Sequence, residues 1–92
     1  MSIITLTTDF GYKDHFIGSV KGGLHSEIPN VKIVEITNLI SPFNIIEAAY
    51  IIDNAYKNFP NGSIHIIGVD SEKTPEKKHL VINLDDHFFV CA

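Results

Sequence analysis

Cysteine is almost absent from this chain of 92 residues: Cys91 stands alone. An internal disulfide and a thiolate metal cluster are both excluded, and a reducing compartment fits. Arginine is missing altogether. The seven basic residues are dispersed lysines and the formal net charge is -4, so the clustered cations that track a phosphate backbone are not there. Nucleic acid is not expected as a partner. Uninterrupted apolar runs fall far short of the roughly 20 residues that span a bilayer. The first residues also lack the basic, apolar, small-residue order of a signal peptide. No membrane association and a cytoplasmic location are expected. Repeats, low-complexity tracts and an interdomain linker are lacking as well.

What is present is ordinary for a packed domain. Hydrophobic residues make up 45% and charged residues 20%, which excludes disorder. The length allows one core of about the smallest common domain size. Ile3 to Thr7 is short and β-branched and reads as a buried strand. Phe16, Ile17, Val20, Leu24 and Ile28 recur at helical spacing, with Asp14 as the expected N-cap and Pro29 as the stop. Gly18, Gly22 and Gly23 weaken that helix by up to about 1 kcal/mol each relative to Ala; close backbone packing is the expected reason for them.

Val31 to Ile36 reads as a second strand and Thr37 to Pro42 as a loop. Asn44 with Glu47 resembles a capping box, followed by the apolar stripe Ile45, Ala48, Ala49, Ile52, Ala55, Tyr56 and Phe59. Pro60-Asn61-Gly62 ends it. Ser63 to Val69 is a third strand with Asp70 at its carboxyl end. His79 to Leu84 and His87 to Cys91 flank an Asp85-Asp86 turn as a hairpin. The order β-α-β-α-β-β-β predicts an α/β fold of three layers. Its sheet is mostly parallel, with flanking helices and an antiparallel hairpin at the C-terminal end. Because the chain stops directly after a strand and would leave an edge bare, it is expected to be a fragment.

Asp9 opens the loop after the first strand, where open α/β sheets place ligand groups. A carboxylate there can accept hydrogen bonds from two ribose hydroxyls, and Gly11 lets a ligand approach the backbone. An Asx-turn explains the same residue without a ligand. Asp14 is either a helix cap or a second acidic contact. Asp70 is placed on the same sheet edge as Asp9. Asp9-Phe10-Gly11 matches the metal-binding triplet of protein kinases, but the eight residues before it cannot hold the rest of that machinery. The five histidines, His15, His25, His65, His79 and His87, have no metal-ligand spacing. His65 and His87 are expected to be partly exposed strand residues. Lys77-Lys78 reads as a solvated loop, and Phe43 either staples the second helix or stacks on a purine.

Taken together, Ile4-Thr5-Leu6-Thr7-Thr8-Asp9-Phe10-Gly11 with Asp14 and Gly18, Lys21-Gly22, Ile36-Thr37, Ser41-Pro42-Phe43, Ala48-Ala49-Tyr50, Phe59-Pro60-Asn61-Gly62-Ser63 and Val69-Asp70 carry a resemblance. The chain resembles the S-adenosyl-L-methionine (SAM) hydroxide adenosyltransferases, relatives of the fluorinating and chlorinating enzymes. The resemblance implies hydrolysis of SAM to adenosine and methionine by water or hydroxide attack at C5′, with no metal and no cofactor. It also implies that residues 1–92 are an incomplete N-terminal α/β domain. The family's C-terminal β-barrel-like domain is absent from this stretch, and the whole protein is expected to be a homotrimer with active sites between subunits.

By position, the resemblance assigns the ribose hydroxyls to Asp9, the methionine amino group to Asp14 and the adenosine to Phe43. Water activation falls to Asp70 and to Lys77, which stands where the family usually has Arg. The family's third water-activating residue, a His, is expected beyond Ala92, so the isolated stretch is expected to be inactive. Two departures accompany this. Ser71 to Pro75 replaces a Pro-Gly-Val-Gly run, and Lys77 lacks the two-pronged reach of a guanidinium. An acid at position 70, where halogenating relatives carry Tyr, favours water over halide. Two alternatives remain: a receiver-like domain that holds Mg²⁺ and accepts phosphate on Asp, and a non-catalytic nucleoside-binding or oligomerisation piece.

Overall fold

The structure, a computed structural model, describes residues 3–12, 15–42, 44–69 and 80–91. Among the described residues, five strands and two helices follow in the order β1 (Ile3–Thr8), α1 (Phe16–Glu27), β2 (Lys32–Thr37), α2 (Ile45–Ala55), β3 (Ile64–Gly68), β4 (Leu80–Leu84) and β5 (His87–Cys91). A single 3₁₀ turn, Tyr56–Asn58, extends α2. All five strands join one sheet in the order β2-β1-β3-β5-β4. β1 pairs in parallel with β2 and with β3, and β3 pairs in parallel with β5. The expected α/β fold is the observed one. β5, the second strand of the hairpin, is the one that lies against β3, and β4 runs antiparallel along the outer edge.

Local chemistry explains these elements. Asp85 and Asp86 both take positive φ, +52° and +62°. That is the two-residue hairpin turn whose twist matches its strands. Asn44 caps α2, its side-chain oxygen accepting from the Glu47 amide at 3.0 Å. The reciprocal half of the box is displaced, because the Glu47 carboxylate accepts from the Ser41 amide at 3.3 Å. The first helix begins at Phe16 with His15 in the cap position and no side-chain cap hydrogen bond; Asp14, the expected N-cap, lies outside the described residues. The glycine expectation fails: no described atom lies within 4 Å of a side chain built at Gly18, Gly22 or Gly23. Only Ile17 of α1 is buried, which leaves those glycines on open surface.

Side chains alternate across the sheet. On one face Ile52, Tyr56 and Phe89 pack together with Ile36 and Ile67, beside a second cluster of Ile40, Ala48 and Val69. Buried positions of α2 and its extension thus fall at Ala48, Ile52 and Tyr56, one stripe of a helix period. On the other face, Leu6 is fully buried and pairs with Glu35, which Lys21 of α1 reaches at 3.1 Å. Helices on both faces complete the three layers. β4 is exposed along its length, and Ile46, Tyr50, Ile82 and Leu84 border an open apolar groove of about 630 Å³ between α2 and the hairpin.

His65 and His87 overturn the expectation of partial exposure. His65 is fully buried and His87 is 3% exposed. The Thr5 hydroxyl sits 2.6 Å from His65 Nδ1, and His65 Nε2 sits 3.0 Å from His87 Nδ1. The His65 ring stacks on Phe89 at 5.1 Å, and Tyr56 meets the His87 ring edge-on at 5.3 Å. Alternation alone could not show that polar partners would face inward on neighbouring strands, and it is those partners that let imidazoles replace aliphatic residues in a core.

Candidate functional site

The strand register builds the site. Thr8 pairs with Gly68 across β1 and β3, and the Asp9 amide donates to the Gly68 carbonyl at 3.3 Å. The half-buried Asp9 therefore stands just past the carboxyl end of β1, beside the point where the chain leaves β3. Asp70 follows two residues later and lies outside the described residues, as do Asp14, Phe43 and Lys77. Asp9 is thus the one expected site residue that the structure places.

Gly68 has a steric role. A side-chain carbon there would come 3.1 Å from the tip of the Phe10 ring, a contact tighter than ordinary packing. The absence of a side chain lets Phe10 lie over the strand end, directly after Asp9. Gly11 takes φ +70°, the left-handed conformation that glycine adopts without strain, and turns the chain back towards β2.

Thr8 and Asn38 fasten the loop to β2. The Thr8 hydroxyl accepts from the Phe10 amide at 3.2 Å and donates to Asn38 Oδ1 at 2.7 Å. Asn38 Nδ2 donates to the Tyr12 hydroxyl at 3.1 Å and to Glu35 Oε1. The Asn38 carbonyl accepts from the Gly11 amide at 2.7 Å, and the Ile40 amide donates to the Thr8 carbonyl at 3.2 Å. Glu35 in turn takes Lys21 of α1 as its counter-charge.

A register shift makes this arrangement reachable. Leu6 pairs with Glu35 but Thr7 pairs with Thr37, so β2 carries an extra residue there, as in a bulge. The shift brings Asn38 level with Thr8. Sequence reasoning read Asn38 only as a loop residue. The missed signal was its position: it follows the last residue of β2 as Asp9 follows the last residue of β1.

Burial, with a smaller contribution from neighbouring His87, holds His65 below the ordinary histidine value. The hydrogen bond to Asp85, 2.9 Å from the Tyr56 hydroxyl, pushes Tyr56 up, with burial second. Burial also raises the Cys91 thiol. Among the described residues no three His, Cys, Asp or Glu side chains gather to hold a metal ion, and no helix is long and apolar enough to cross a membrane.

A mostly parallel sheet with an acidic loop fastened beyond its strand ends defines an α/β protein of the open-sheet class, a class that holds its ligands at such loops. The chain belongs to the SAM hydroxide adenosyltransferase N-terminal domain family, whose model matches residues 4–92. It is similar to an (R)-S-adenosyl-L-methionine hydrolase of Methanocaldococcus jannaschii, with 34% identity over 98% of this chain and 35% of that protein. A hydrolase of the same name from Salinispora tropica is 24% identical, over 95% of this chain and 33% of the relative. Among solved structures, an uncharacterized conserved protein from Thermotoga maritima superposes with a TM-score of 0.88 at 29% identity, over 96% of this chain and 34% of that one. A conserved hypothetical protein from Thermus thermophilus gives 0.82 at 25% identity, over 99% and 38%. The chain spans about a third of the length of the curated relatives it matches. Family membership leaves the receiver-like alternative without support.

Proposed function

We propose that these residues form the first part of the N-terminal domain of an enzyme that hydrolyses SAM to adenosine and L-methionine. The observation that carries the reading is the Asp9 loop, fastened at the carboxyl ends of β1 and β3, in a family whose matched relatives bear the name SAM hydrolase. Asp9 accepts the ribose hydroxyls, Asp14 faces the methionine amino group, and Phe43 stacks on the adenine. Asp70 orients the attacking water, with Lys77 as its basic companion. The whole enzyme, with its further C-terminal domain, works as a homotrimer in the cytoplasm. The open apolar groove between α2 and the hairpin supports the reading of a partial domain, since a groove of that kind is ordinarily covered.

In the reaction a water oxygen forms a bond to C5′ as the C5′–S bond breaks. The bonding pair passes to sulfur, the sulfonium becomes the neutral thioether of methionine, and the water proton leaves through Asp70 to solvent. Positive charge vanishes from the substrate along this path, so exclusion of water and fixed positioning lower the barrier. Acidic side chains offset the desolvation of the cationic substrate.

Incubation of the complete enzyme with SAM in heavy-oxygen water tests this. Adenosine carrying the label on its 5′ oxygen is the expected product, and unlabelled adenosine or none would refute hydrolysis at C5′. Asp9→Ala should weaken SAM binding by roughly 3 kcal/mol, about a hundredfold in Kd, because two hydrogen bonds to a charged acceptor are lost. Unchanged affinity would remove the ribose role.

A further inference from the structure

We propose that Asn38 is a positioning residue for Asp9: it sets the placement of the ribose-binding carboxylate and, through that, the enzyme's preference for a substrate with both ribose hydroxyls. The inference rests on the ribose role of Asp9 and adds a residue that touches no substrate. Asn38 is fully buried, and its polar atoms grip the loop on both sides of Asp9. On the near side it accepts from Thr8. On the far side its carbonyl takes the Gly11 amide and its Nδ2 reaches Tyr12. The two residues between these grips are Asp9 and Phe10.

The amide can face only one way. Glu35 as a carboxylate only accepts hydrogen bonds, so the NH₂ end must point at it and the carbonyl end at the Thr8 hydroxyl. A flipped amide would set oxygen against oxygen at a fully buried side chain, which is strongly unfavourable. Glu35 is itself held by Lys21 of α1. The orientation of one side chain is thereby locked from the helix, and the loop inherits it. Carboxylate contacts to a diol depend on placement within about half an ångström, so a loosened grip lowers selectivity before it disturbs remote chemistry.

The test uses the complete enzyme and compares dissociation constants for adenosine and 2′-deoxyadenosine. Asn38→Ala should cut the discrimination between the two by about tenfold and raise KM for SAM similarly, with kcat changed less than about threefold. Combined with Asp9→Ala, the same substitution should add less than about twofold, because its effect passes through a carboxylate that is no longer there. Tyr12→Phe, at a residue 57% exposed, removes one partner of the amide without emptying the core. It should move discrimination in the same direction by about threefold, which keeps the test decisive if Asn38→Ala does not fold. Retained discrimination in both variants, or additive losses in the Asp9→Ala background, would overturn the inference while leaving the Asp9 reading intact. Full affinity in Asp9→Ala alone would overturn both.

Discussion

Replacing His65 by Phe isolates the polar thread in the core. The ring stacks on Phe89 at 5.1 Å and meets Phe59 edge-on at 5.7 Å; a phenyl group keeps those contacts. What it removes are two nitrogens. The Thr5 hydroxyl and His87 Nδ1 then lose the partners they have at 2.6 Å and 3.0 Å. Each stranded buried group costs about 1–3 kcal/mol, so His65→Phe should destabilise the chain by about 2–6 kcal/mol near pH 8. Adding Thr5→Val should recover part of this, because no hydroxyl is then left unpaired.

The same substitution should also change how stability depends on pH. Burial and then His87 hold His65 below its ordinary value, so the unfolded chain binds a proton that the folded ring resists. The stability contributed by the neutral ring is fully present above the unfolded value of about 6.5 and is lost as pH falls through it towards the lower folded value. His65→Phe has no such loss. The gap between the two proteins should therefore narrow on acidification from about pH 8 to about pH 5. Urea denaturation followed by circular dichroism, at constant m-value, measures both quantities. A loss below about 1 kcal/mol at the higher pH, or a gap that does not change with pH, would refute the reasoning.

Two further substitutions probe the scaffold. Leu6→Ala, at a fully buried position of β1, an interior strand of the sheet, should cost about 2–5 kcal/mol in urea denaturation, and a cost under about 1 kcal/mol would contradict its place in the core. Asn44→Ala removes the α2 cap and should cost about 1 kcal/mol. Because Glu47 keeps its contact to the Ser41 amide, hydrogen exchange should rise only in the first turn of α2, and protection lost along the whole helix would show the cap to be doing more.

The strands, the two helices and the hairpin turn were legible in the residue order because each follows from short-range physics: β-branched runs, a capping Asn three residues before Glu47, and Asp85-Asp86 between apolar segments. So was Asp9, since a carboxylate just after a buried strand is a local pattern, and the family likeness spread over nearly the whole chain. The packing of the α1 glycines was misjudged, because glycine spacing carries no information about what lies opposite. Tertiary structure alone decided that β5 rather than β4 adjoins β3, that Thr5, His65 and His87 meet inside, and that an extra residue in β2 brings Asn38 level with Thr8. Those pairings join residues 60, 22 and 30 positions apart along the chain. A hydrogen bond at that separation depends on strand register, and register is set by the packing of the entire sheet rather than by any window of sequence.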